Sequence, residues 1–98
     1  MSPETAARLH DLHIQLLAEA KGHCQFGREA CVARVERTEA GFGSIGSTGI
    51  LTENGLAYLV WRDGRARLAA KSGETDAEAE QVEAVRRFSE DLKEALGG

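Results

Sequence analysis

Residues 50–71 read ILTENGLAYLVWRDGRARLAAK, and the reading of this stretch decides the fold. Asn54-Gly55 and Asp63-Gly64 are both strong signals for two-residue hairpin turns, because the central residues of such turns need positive φ. Together they predict strands near 46–53, 56–62 and 65–71. In that register Trp61 faces Ala66, Leu59 faces Leu68 and Ile50, and Ala57 faces Ala70 and Thr52. This face is apolar and is expected to receive helices. The opposite face sets Leu51 across from Tyr58 and adds Leu56 and Val60, beside Arg62, Arg65 and Arg67. An antiparallel sheet with one wet face is normally polar there. A half-apolar second face therefore predicts a cover. A fourth strand near 30–37 follows from Cys31, Ala33 and Val35 alternating with Arg34 and Glu36.

Outward from the sheet, both ends read as helix. Ser2 is a plausible N-cap, Pro3 suits the first helical position, and Leu9, Leu12, Leu16 and Ala20 recur at helical spacing up to the stop at Gly22. A helix over 3–21 is expected. At the other end Thr75-Asp76-Ala77-Glu78 has the form of a capping box. Val82, Val85, Phe88, Leu92 and Leu96 make an apolar stripe before Gly97-Gly98. The expected fold class is α+β: an N-terminal helix, an antiparallel meander of three to four strands and a C-terminal helix (αββββα), both helices on one face. The 98 residues are enough for one domain, 1–98, and too few for two.

Composition narrows the function classes. Hydrophobic residues make up 42% and aromatics only 5%, so the core must rely on Leu, Val, Ile and Ala. The net charge of −4 is uneven: residues 56–71 carry one acid and four bases, while residues 72–98 carry eight acids and three bases. That excludes general nucleic-acid binding by the whole surface and leaves room for a local basic patch. Without a membrane-length apolar run or a secretory pattern, a cytoplasmic location is expected, with no membrane partner. The two cysteines, Cys24 and Cys31, are then expected as free thiols, with the loop residue Cys24 the more reactive.

Three patterns carry candidate chemistry. Gly41, Gly43 and Gly46, within a glycine-rich run to Gly49, match a phosphate-cradling pattern, but no helix follows them; a flexible hairpin loop is the plainer expectation. His10, His13, His23, Cys24 and Cys31 fall within residues 10–31 and supply the nitrogen and sulfur ligands that zinc takes, at a spacing of no standard zinc module. Arg62, Arg65 and Arg67, near Tyr58, could hold phosphate and stack on bases, or simply keep a strand pair solvated. No nucleophile elbow or placed cysteine–histidine pair is present. The expected function is therefore a small non-enzymatic protein-interaction or regulatory module without a cofactor. It is expected to bind itself as a homodimer through Leu51, Tyr58 and Val60, rimmed by the arginines, and to bind another protein. A nucleic-acid binder using Arg62, Arg65 and Arg67 and a metal or thiol sensor using the His/Cys group are the alternatives.

Overall fold

The computed structural model describes residues 2–53 and 55–97; the expected turn residue Asn54 and the expected stop Gly98, with Met1, lie outside them. Helix α1 (Pro3–Asp11) starts as the sequence predicts, with Ser2 Oγ accepting the Thr5 N–H at 3.2 Å. It ends ten residues before the expected 21. The Ile14 N–H bonds the Leu9 carbonyl at 2.8 Å and the His13 N–H bonds the His10 carbonyl at 3.0 Å, with His13 at φ 60. These two bonds form a Schellman motif in which histidine takes the left-handed position that glycine usually fills. Leu9 and Ile14, the apolar pair that accompanies the motif, are both buried in the core cluster.

After this stop the chain turns to sheet. The strands are β1 (Gln15–Ala20), β2 (His23–Arg28), β3 (Cys31–Thr38), β4 (Gly41–Thr52), β5 (Gly55–Arg62), β6 (Arg65–Ala70) and β7 (Gly73–Asp76). They form one seven-stranded sheet in sequence order, each antiparallel to the next. The expected three to four strands undercount it, because β1 was hidden in a helical spacing, β2 was read as the loop after that helix and β7 as the lead-in to the last helix. Leu16, read as part of a helix stripe, and its neighbour Leu17 lie on β1, and both are exposed.

The glycine run, residues 41–49, is the first three quarters of β4. Its ladder with β3 passes from Ala33↔Thr48 to Val35↔Ile45 to Arg37↔Phe42, so two irregularities fall inside it. Glycine accommodates such bulges without a side chain to place. Gly49 has a different reason: a Cβ there would overlap the Ala57 backbone carbonyl of β5. The β5–β6 register is the expected one, with Trp61↔Ala66 and Leu59↔Leu68, around a turn with Asp63 at φ 51 and Gly64 at φ 78. The β4–β5 register is not. Ile50 pairs with Ala57 and Leu51 with Leu56, where Leu59 and Tyr58 were expected. The slip is by two residues, so each side chain keeps its face.

Thr75 does not cap the last helix; it belongs to β7 and pairs with Leu68. Helix α2 (Ala79–Ala95) instead starts from Glu78, whose backbone N–H donates to Gln81 Oε1 at 2.9 Å in a capping box shifted by one turn. Its stripe is as expected: Val85, Phe88, Leu92 and Ala95 are buried. They share one core with Leu9 of α1 and with Phe26, Val35 and Ile50 of the sheet, so both helices pack on one face. The overall class is α+β.

One side chain ties these layers together. Arg28, at the end of β2, donates from Nη1 to the Leu12 carbonyl at 3.1 Å and to Asp91 Oδ2 of α2 at 2.8 Å. Its guanidinium carbon lies 5.7 Å from the centre of the Phe88 ring. Charge-assisted bonds of this kind and a cation over a ring are each worth more than a surface pair. Replacing Arg28 by Ala is expected to lower stability in urea titration by about 1.5–3 kcal/mol, and Asp91→Asn by less, because the Leu12 bond survives. Gly49→Ala is expected to cost about 1–3 kcal/mol by overpacking. Gly46→Ala should cost less, since there an added Cβ would come no closer than 3.3 Å to the Arg34 carbonyl.

Candidate interaction surface

The outer face of the sheet, turned away from both helices, holds the residues expected to form an interface. The pairings Gly27↔Val32, Val32↔Gly49, Gly49↔Tyr58 and Tyr58↔Ala69 place one row across five strands. Two of its positions are glycines, so the row is low in the middle. Leu17 lies over Gly27, where its side chain occupies the space a Cβ would need. Val32 is buried there, while Leu51 and Tyr58 are 52% and 36% exposed. Leu56 and Val60 are half-buried beside them. Leu17 is the addition that sequence reasoning missed, since it had been placed on a helix.

A cover from within the chain would have come from Phe42 and Ile45. Both instead pack inward: they lie against the buried core, and the Phe42 ring meets Phe26 edge-on at 5.6 Å between centres. The apolar strip keeps its exposure.

Arg62, Arg65 and Arg67 stand at one end of the same face, and β7 brings acids to them. Arg67 Nη1 lies 2.9 Å from Asp76 Oδ1 and donates from Nη2 to the Glu74 carbonyl at 3.2 Å. Arg62 Nε lies 3.3 Å from Glu74 Oε1. Arg65 forms no ion pair among the described residues. A patch read as three free cations is largely internally neutralised, which weakens its attraction for a polyanion. The sequence contains the acids but gave no sign of the strand that carries them.

The His/Cys group is not assembled. His23 and Cys24 are neighbours on a strand and so point to opposite faces: His23 Nδ1 lies 3.2 Å from Arg34 Nη2, whereas Cys24 is in the core. His10 and His13 are exposed around the end of α1. Among the described residues no group of three or more His, Cys, Asp or Glu side chains could hold a metal ion. The ground for the expected order of thiol reactivity, a loop position for Cys24, is removed. Cys24 is no loop residue; it is 1% exposed on β2, and Cys31 is 7% exposed on β3. Both are free. Cys24 pairs with Val35 and Cys31 with Arg28, so the thiols sit four ladder positions apart, about 13 Å along the strands, too far to bridge.

On the inner face, Trp61 was expected beneath the helices and is 62% exposed. Leu59 is half-buried against the core. Helix α2 crosses β3 and β4 and leaves a groove along β5, lined by Leu59, Trp61, Val82 and Val85 and rimmed by Arg86 and Glu90. Arg86 is already engaged by Glu83 and by Glu90 at 2.8 Å. That hydrogen bonding holds the Glu83 carboxyl below its usual range and Arg86 above its own.

No helix among the described residues is long and apolar enough to cross a membrane. Comparison with protein-family models, with curated proteins and with solved structures gave no match.

The thiols yield a direct test. Burial is the main cause that pushes the Cys31 thiol above its ordinary value, Glu29 adding to it and Arg28 opposing. Its reactive thiolate therefore forms only above the usual thiol range. Alkylation of the native protein at neutral pH without reductant is expected to leave both cysteines largely unlabelled, and Cys31 to gain label first as pH rises. In guanidinium, still without reductant, mass spectrometry should find two labels; none would mean a bridge.

Proposed function

We propose that this chain is a small non-enzymatic protein-interaction or regulatory module of the cytoplasm that works as a homodimer. Its surface for another protein is the outer sheet face around Leu51, Tyr58 and Val60. The observation that carries this reading is the exposed apolar strip itself, left open because Phe42 and Ile45 turn inward. Contiguous apolar patches rimmed by polar side chains mark contact sites on soluble domains. The arginine–acid network of β5–β7 supplies that rim and orients a partner more than it binds one. A nucleic-acid reading loses support from the same network.

Two measurements test the proposal. Sedimentation equilibrium at micromolar concentration is expected to give twice the 10.6 kDa chain mass; a single chain mass would remove self-association. Used as bait in native cell extract, the wild type should retain a protein that folded Tyr58→Asp loses. Equal retention by both would mean that this face is not the contact surface.

A further inference from the structure

The two edges of the sheet are built differently. At one end β7 is four residues long, starts at a glycine and carries Glu74 and Asp76. These acids are tied to Arg62 and Arg67, so a strand laid beside β7 would have to cover a charged network. Short length and charge are the usual guards of an edge strand. At the other end β1 reads Gln-Leu-Leu-Ala-Glu-Ala, every residue exposed, with strand pairing to β2 alone. Its one charge, Glu19, is neutralised by Arg37 at 3.2 Å. Leu16 and Leu17 are 41% and 50% exposed, two of the five large apolar side chains left open on the described surface.

We infer that β1 is the seam of the homodimer, pairing antiparallel with β1 of a second copy about a two-fold axis between Leu17 and Ala18. This rests on the reading that the chain self-associates. The irregularity between Leu16 and Ala18 determines the register. Gln15 pairs with Gly27 and Ala18 with Gln25, which puts Gln15, Ala18 and Ala20 on the outer face with Leu17. Leu16, opposite Phe26, and Glu19, opposite Cys24, are on the inner face. A two-fold between Leu17 and Ala18 sets Leu17 against Ala18 of the second copy and Gln15 against its Ala20, outer against outer. It sets Leu16 against the second copy's Glu19, inner against inner. No like charges oppose one another, and the two Glu19 carboxylates stay on their own Arg37 partners. A seam centred on Leu17 itself would bring Gln15, an outer residue, against Glu19, an inner one, and fails the pleat.

The guarded edge explains why a pair forms and a fibre does not. Pairing β1 with the β7 of another copy would repeat without closing. The charged β7 opposes that contact, whereas a β1–β1 two-fold uses up both open edges and leaves only guarded ones outside. The seam leaves the Tyr58 face free, continued at its rim by Leu17.

The test compares sedimentation equilibrium of the wild type, Ala18→Lys and Tyr58→Asp. The expected result is a dimer for the wild type and for Tyr58→Asp, with dissociation of Ala18→Lys raised about thirtyfold or more. A dimer unchanged in Ala18→Lys but lost in Tyr58→Asp would overturn the seam while leaving self-association standing. A monomeric wild type would overturn both. If Ala18→Lys does not fold, hydrogen exchange of the wild type at low and high concentration decides. Amides of residues 15–20 should gain protection with concentration while those of β7 do not; no gain would overturn the seam.

Discussion

Arg28 is the point on which the two helices and the sheet agree. A sheet face and two amphipathic helices can each bury apolar area in many relative positions, because the hydrophobic effect has no direction. A guanidinium does have one. By holding the Leu12 carbonyl and the Asp91 carboxylate from one nitrogen, with its guanidinium carbon over the Phe88 ring, Arg28 fixes where the chain leaves α1 and where α2 crosses β3 and β4. Removing it would leave Asp91, already partly withdrawn from water, without its counter-charge.

That placement of α2 has a cost on the far side. A helix seated over β3 and β4 covers the inner face of the later strands only in part: Leu68 is buried and Leu59 half-buried against the core, while Trp61 is left open. Trp61 sits at this unfinished margin, which is why a residue of the right parity for burial is largely in water. Parity says which face a side chain takes; it does not say whether anything lies above it.

The legible parts of the fold were those with local chemistry. Ser2-Pro3 marked the start of α1, Asp63-Gly64 fixed the β5–β6 register, and the 3.6-residue stripe of Val85, Phe88, Leu92 found α2. The illegible parts were those in which tertiary context overrode a local pattern. Leu9, Leu12, Leu16 and Ala20 repeat as a helix would, yet His13 takes a left-handed conformation and the later members become an edge strand. The turns at Glu29-Ala30 and Glu39-Ala40 carry no Asn-Gly or Asp-Gly signal, so the strands they join went partly unseen. Glycines that resembled a loop were a bulged strand. Of the candidate surface, Leu51, Tyr58 and Val60 were readable because an even slip preserves facing. Leu17 was not, because its strand was not.

The meander also sets an order of events for folding. Every strand pairs with its neighbour in sequence, so the whole ladder can grow from local hairpins with small loop-closure entropy, the arrangement that favours rapid formation. The core is another matter. Phe26, Val35 and Ile50 are shielded by α2, which follows all seven strands along the chain. On the ribosome the sheet can therefore be in place while much of its apolar side still faces water, until the 17 residues of α2 emerge and dock. The nascent chain passes through a stage at which both of its faces are sticky, and closure by α2 is what ends it.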